Sequence, residues 1–293
     1  MRIALLGFGL IGGSVARGLR ERGLARQRVE IVAWSPSGEG PRAAARDGVI
    51  DAAASTPMEA LERADLVVLA GPVPTVLEAL DALAGPWGSA LAPDAVITDV
   101  ASTKSAVVAR ASALRLRFVG GHPMAGRETS GYAAAEPGLF VDRPWVVVPA
   151  TADDAAVDRI ETLARAVGAR PMRMDAADHD AAVAAISHLP LVLAAALVEA
   201  VAGPSGRDRD DWPLAAELAA SGWRDLTRLA RGDVEMGTGI VATNAGPIAE
   251  RIRDVITVLE GWLDELDQEG GPDDAVVEAR LRGARDRLEA MTG

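Results

Sequence analysis

Three histidines, one serine and a pair of arginines carry most of the chemistry this sequence could perform. His122, His179 and His188 are the only histidines in 293 residues. His122 stands in GGHPMAGRETSG, where Gly120 and Gly121 let backbones approach closely and Pro123 keeps the chain out of helix. A neutral imidazole at the end of a strand can accept a proton from an alcohol as hydride leaves it. A structural loop histidine fits that pattern equally well. Ser102, in DVASTK, follows another apolar run. Its hydroxyl would orient an imidazole or touch a nicotinamide; an N-cap by Ser102 or Thr103, with Lys104 merely starting the helix, is the plainer alternative. His179 and His188 are nine residues apart, which places them on opposite faces of a straight helix at about 100° per residue. A shared metal is therefore not expected, and the chain has no cysteine to supply thiolate ligands. Pro190 in SHLP denies an N–H to the carbonyl of Ile186, so a kink is expected beside His188 as one wall of a site. A buried core role suits either histidine as well. Arg224 and Arg228, four apart in SGWRDLTRLA, share a helical face beside Trp223. Arginine grips carboxylates through two parallel hydrogen bonds, which makes a substrate clamp one reading. A solvated, ion-paired face is the commoner use of such a pair.

A second constellation opens the chain. GFGLIGGS follows the apolar run Arg2–Leu6. Gly7 permits a tight turn, Gly9 lets backbone approach a pyrophosphate, and Gly12 lets the following helix pack on the strand. Leu10 and Ile11 open that helix, whose free N–H groups and partial positive charge suit phosphates. The end of the second strand selects the dinucleotide, because NAD sites place an acid there for the ribose 2′-hydroxyl. The sequence reads AWSPSGEGPR, with Ser35 at that place, Ser37 next and Arg42 within reach, while Glu39 comes a few residues late. That set favours NADP over NAD.

These side chains need a scaffold, and the first half of the chain supplies one. Apolar runs at Arg2–Leu6, Val29–Trp34, Leu66–Ala70, Ala95–Asp99, Phe118–Gly120 and Trp145–Pro149 alternate with amphipathic stretches. Such alternation indicates a parallel sheet covered on both faces, an α/β Rossmann-type domain over residues 1–174. From 175 to 293 the pattern is helical: 176–201, 212–231, 246–267 and 275–291. The first of these is apolar nearly all round and must be buried on every side. Contact between subunits would bury it best, so an all-helical dimerisation domain and a homodimer are expected.

Composition narrows the partners. The net charge is −12, which repels phosphate backbones and argues against nucleic acid. The start, MRIALLGFGLIGGSVA, superficially resembles a secretory leader, but glycines interrupt its apolar stretch. No run reaches the ~18 uninterrupted apolar residues of a membrane span, so no membrane is expected and a cytoplasmic setting is the default.

Together, GFGLIGGS, DVASTK, GGHPMAGRETSG, HDAAVAAISHLP, GWRDLTRLA and the Asn244 region resemble the prephenate/arogenate dehydrogenase family, in its order and over nearly the whole chain. The resemblance implies an NAD(P)-dependent oxidative decarboxylation in tyrosine biosynthesis, with the active site in the cleft between the two domains. By the same resemblance His122 is the acceptor for the ring hydroxyl, Ser102 orients His122 and contacts the cofactor, Arg228 binds a substrate carboxylate, and Glu128 and His188 line the pocket. Two departures bear on the substrate. Leu191 stands where many prephenate-using members carry a second histidine, and Glu235-Met236-Gly237-Thr238 resembles arogenate-using members. Neither a regulatory nor a chorismate mutase domain is expected beyond Gly293. Two other readings compete. Related two-domain dehydrogenases and imine reductases typically rely on a lysine in the helical part, and this chain has none after Asp175. A non-catalytic dinucleotide sensor would have no use for Ser102, His122 and Arg228 together.

Overall fold

The structure, a computed structural model, describes residues 1–23, 29–127 and 129–292. Its first elements are β1 (Arg2–Leu6), α1 (Leu10–Arg22), β2 (Glu30–Trp34), α2 (Glu39–Arg46), β3 (Ala52–Ala53), α3 (Pro57–Leu61), β4 (Leu66–Leu69) and α4 (Val73–Ala84). There follow β5 (Val96–Asp99), α5 (Ser105–Ala113), β6 (Phe118–Pro123), β7 (Pro144–Val148), α6 (Asp154–Ala166) and β8 (Arg170–Arg173). The strands form one sheet in the order β3-β2-β1-β4-β5-β6-β7-β8. Ile3, Leu5, Ile31, Val68 and Val96 face one apolar layer with α1 and α6; Ala4, Leu6, Val67, Leu69 and Ile97 face another with α4 and α5. Burial on both faces is why these strands read as unbroken apolar runs.

The sheet is parallel, as expected, at every pairing but one. β7 runs antiparallel to β6, pairing His122 with Val146, and β8 is again parallel to β7. The described part of the β6–β7 connection holds only a 3-10 turn, Tyr132–Ala134, and no α-helix. Without a crossover helix the chain returns against β6 instead of beside it.

Next come α7 (Ala176–Val183), a π-helical turn (Ala184–His188), α8 (Leu189–Ala202), α9 (Trp212–Glu217), α10 (Ser221–Thr227), a 3-10 turn (Arg228–Arg231) and α11 (Val234–Thr243). At the place of the expected kink the structure has a π turn. That wider turn stands just ahead of Pro190, whose ring and missing N–H an ordinary α turn would not accommodate. The straight-helix geometry that sent His179 and His188 to opposite faces therefore does not hold: both are buried, each about 1% exposed. The segment 212–231 is likewise broken, and Arg228 begins the 3-10 turn after α10 ends.

By packing, Met1–Ile248 forms one compact unit and Ala249–Gly293 another. α12 (Ala245–Leu266) runs across that division, and α13 (Asp274–Thr292) follows. Within the second unit Arg280 donates to the carbonyl of Gly261 at 2.7 Å and its guanidinium lies 4.1 Å from the ring centre of Trp262. The helical run Ala176–Ala202 is long and apolar enough, by length and composition, to cross a membrane, and only 22% of its most apolar window is buried in a single chain. Its first turns, however, hold polar side chains engaged in the network described next.

Candidate active site

The residues singled out above gather along one edge of the sheet. Gly7 follows β1, Ser35 follows β2, Ser102 follows β5 and His122 closes β6. Carboxyl ends of parallel strands are where open α/β sheets bind ligands.

At the β1–β2 end a groove of about 1090 Å³ includes Gly7, Phe8, Gly9, Ser35, Ser37 and Glu39 in its walls. Gly7 has φ +94, and a Cβ there would stand 2.5 Å from the carbonyl oxygen of Ala70. Only glycine lets the β1–α1 turn lie this close to β4. Leu10 starts α1 with no side-chain cap, so the helix N-terminus, with Ile11 and Gly12 in its first turn, keeps free N–H groups at the groove. The arrangement fits a dinucleotide pyrophosphate. Beyond β2, the Gly38 N–H donates to the carbonyl of Ser35 at 3.0 Å, and Arg42 donates to the carbonyl of Ser37 at 2.9 Å. The Arg42 guanidinium thus lies over the Ser35–Gly38 turn. Glu39, too late in sequence to replace the usual acid, nonetheless lines the same groove.

His122 is held by a network that begins on β5. The Asp99 carboxylate is buried; it accepts the N–H of Gly121 at 3.0 Å and of Ala101 at 3.0 Å, and pairs with the ammonium of Lys104. A Cβ on Gly121 would stand 2.4 Å from the Asp99 carbonyl oxygen, so this glycine lets β6 press against β5 and carries His122 to its place. Nδ1 of His122 lies 2.8 Å from Nε2 of His179, and Nδ1 of His179 lies 2.8 Å from Oδ1 of Asp180. Asp180 also accepts the N–H of Lys104 at 2.7 Å and of Ser105 at 2.8 Å.

That last pair corrects the N-cap alternative. Neither Ser102 nor Thr103 caps α5; Thr103 instead pairs its hydroxyl with Thr243 at 2.8 Å, and the orphan N–H groups of α5 go to a carboxylate from α7. Among the described residues the hydrogen-bond partner of the His122 ring is His179, not Ser102. Asn244 donates to the carbonyl of Asp180 at 2.8 Å and to Nδ1 of His188 at 3.0 Å. Nε2 of His188, left to carry the N–H, is buried against the backbone of Ser102, which raises its proton affinity without making a hydrogen bond of full geometry.

The electrostatics follow from burial. Loss of water pushes the His122 pKa well below the ordinary histidine value, with His179, Lys104 and His188 adding to the effect. Burial also lowers His188, to about 4, against the pull of Asp180. Burial alone would raise the Asp180 carboxyl, but the hydrogen bonds from His179, Ser105 and Lys104 bring it down to about 2. Lys104 is lowered by its complete burial, with Asp99 pulling the other way. At neutral pH the site therefore offers neutral imidazoles at His122 and His188 beside an ionised Asp180.

Arg228 is exposed in the 3-10 turn, which packs against α8, the helix entered through His188. Glu128 lies outside the described residues. Sequence reasoning gives no role to Asp99 or Asp180, takes Asn244 only as part of the family resemblance, and reads Lys104 as a helix-start residue. The adjacency of His179 and Asp180 was the available signal, because a carboxylate next to a scarce histidine is its natural partner.

Known proteins resemble this chain over most of its length. Residues 15–173 match the family described as "Prephenate dehydrogenase, nucleotide-binding domain", and residues 175–273 match "Prephenate dehydrogenase, dimerization domain". The prephenate dehydrogenase of Bacillus subtilis (strain 168) is 34% identical over 270 residues, covering 91% of this chain and 68% of the relative. The crystal structure of Synechocystis arogenate dehydrogenase superposes with a TM-score of 0.76 at 33% identity, over 98% of this chain and 100% of that one. A prephenate dehydrogenase from A. aeolicus, in complex with hydroxyphenyl propionate and NAD+, superposes with a TM-score of 0.85 at 26% identity, over 99% of this chain and 98% of that one.

Proposed function

Since the chain belongs to the prephenate dehydrogenase family, we propose that it oxidatively decarboxylates prephenate or arogenate in tyrosine biosynthesis, with His122 as the proton acceptor. The observation that carries the assignment of the base is the place of the His122 imidazole at the end of β6, on the strand edge that also bears the glycine turn, with its Nδ1 2.8 Å from His179. When bound, a nicotinamide dinucleotide supplies the hydride acceptor. The first turn of α1 and the backbone at Gly7 and Gly9 would hold its phosphates. His122 takes the hydroxyl proton of the cyclohexadienol, so that the developing ketone draws electrons from the ring carboxylate, carbon dioxide leaves and the ring becomes aromatic. Arg228 would grip a carboxylate, Ser102 would contact the cofactor, and His188 and Glu128 would line the pocket.

The finer choices belong to the same proposal. Ser35, Ser37 and the overlying Arg42 suit a ribose 2′-phosphate, and we read the cofactor as NADP although Glu39 shares the groove. Leu191, whose Cδ2 lies 3.7 Å from the Cβ position of Gly237 in α11, takes the place of a polar second histidine; with Glu235 and Thr238 this favours the amino acid side chain of arogenate. We retain the division into a nucleotide-binding part, 1–174, and a helical substrate and dimerisation part, 175–293. A homodimer through the helical part and a cytoplasmic setting complete the reading.

Measuring kcat/KM by absorbance at 340 nm for prephenate and arogenate, each with NAD and NADP, tests it. The expected maximum is arogenate with NADP. Absence of cofactor reduction in all four combinations would reject the activity, and a maximum with NAD and prephenate would reject the finer assignment.

A further inference from the structure

The proposed chemistry uses one nitrogen of His122, and the geometry points to what fixes which one it is. Nδ1 of His122 faces Nε2 of His179 at 2.8 Å, with the rings edge to face at 5.1 Å between centres. Behind His179 stands Asp180, whose Oδ1 is 2.8 Å from the Nδ1 of His179. This carboxylate is buried and receives the N–H groups of Lys104 and Ser105 at 2.7 and 2.8 Å. An ionised carboxylate can only accept hydrogen bonds. His179 must therefore carry a proton on Nδ1, which in a neutral ring leaves the lone pair at Nε2. The bond between the rings then requires an N–H on Nδ1 of His122, and the lone pair of His122 falls on Nε2. Which nitrogen of a histidine is free is set by the hydrogen bond the other one makes.

We propose that His179, backed by Asp180, is a positioning residue that holds His122 in its Nδ1–H tautomer and thereby makes Nε2 the nitrogen that receives the substrate proton. This rests on the reading of His122 as the base. The balance is simple: the substrate O–H bond breaks, the Nε2–H bond forms, and Nδ1–H keeps donating to His179 throughout. The imidazolium so formed lies two hydrogen bonds from the Asp180 carboxylate, which offsets its charge. The other charged or titratable groups that act on His122 are Lys104, from the start of α5, and His188, from the π turn. Lys104 is already paired with Asp99, so Asp180 is the carboxylate left to serve the imidazoles. The same residue ties three parts of the chain together: its side chain caps α5, its neighbour holds β6, and its carbonyl accepts from Asn244.

Nitrogen-15 NMR of the full-length protein labelled in histidine, with the His122 resonances assigned by loss in H122N, reads the tautomer directly and needs no substrate. The expected spectrum at neutral pH shows His122 protonated on Nδ1 and bare on Nε2. His179→Phe keeps a ring but removes the acceptor; it should release that preference and lower kcat by about 10²-fold with cofactor affinity unchanged. His179→Gln, whose carbonyl can stand in for Nε2, should restore both the spectrum and most of the turnover. A proton on Nε2 of His122 in the unmodified protein, or H179F with full kcat and an unaltered His122 spectrum, would overturn the proposal. If the unmodified protein turns over neither substrate, the activity reading fails while the spectrum still decides the tautomer.

Discussion

A guanidinium gains most from a carboxylate when the pair is shielded from water and doubly hydrogen-bonded, and a substrate that closes over Arg228 would provide both conditions. Arg228→Ala should weaken substrate binding by roughly 1.5–3 kcal/mol, about a 10- to 150-fold rise in KM, with a much smaller change in kcat. An unchanged KM would move the clamp elsewhere, with Arg224 the next choice. At this scale the sequence was uneven. His122 could be singled out because Gly120, Gly121 and Pro123 flank it, and those residues have visible backbone consequences. The partnership of Asp180 with the N–H groups of Lys104 and Ser105 could not, because it joins residues 76 and 75 apart. No local pattern encodes a cap that comes from another helix. Likewise the helix-start reading of Lys104 was sound for its backbone and silent about a side chain wholly buried against Asp99.

The π turn Ala184–His188 is the element that brings two histidines into one site, and it leaves a pH signature. His188 has a folded pKa of about 4, below the ordinary histidine value of about 6.5. As pH falls, the unfolded chain takes up this proton first, so the stability contributed by a neutral His188 is complete above about pH 6.5 and is lost toward pH 4. The loss is on the order of 3 kcal/mol over that window, and His122, lowered in the same direction, adds to it. Asp180 does not contribute there, since its folded carboxyl titrates near 2 and its stabilisation fades only below about pH 4. Urea titrations should therefore show a lower midpoint at pH 5 than at pH 7.5, and His188→Asn should reduce the difference, leaving the part due to His122. Equal midpoints in the unsubstituted protein would contradict the buried neutral imidazole. Helix and strand positions in the first half were legible because each strand is buried on both faces. The reversal at β7 and the break at Ala184–His188 were not, since both depend on what the chain meets rather than on its periodicity.

Over the whole molecule, the apolar surface of α8 is unfinished in a single chain. Ile186 and Leu193 are exposed, and so are Val258, Leu259 and Leu263 on α12. An apolar helix that is mostly uncovered within its own chain matches the family description of residues 175–273 as a dimerisation domain. Light scattering should give about twice the 30.3 kDa chain mass, and Leu193→Asp should shift the protein toward the monomer; a single-chain mass for the unsubstituted protein at micromolar concentration would remove the dimer from the account. The same architecture also sets the stage for chemistry, because one sheet edge carries the glycine turn, the β5–α5 loop and the imidazole at the end of β6. The most direct test of that role is steady-state turnover of His122→Asn at saturating substrate, beside its dissociation constant for the dinucleotide. The kcat should fall by about 10²–10⁴-fold with dinucleotide affinity intact. Turnover close to that of the unsubstituted enzyme would contradict it.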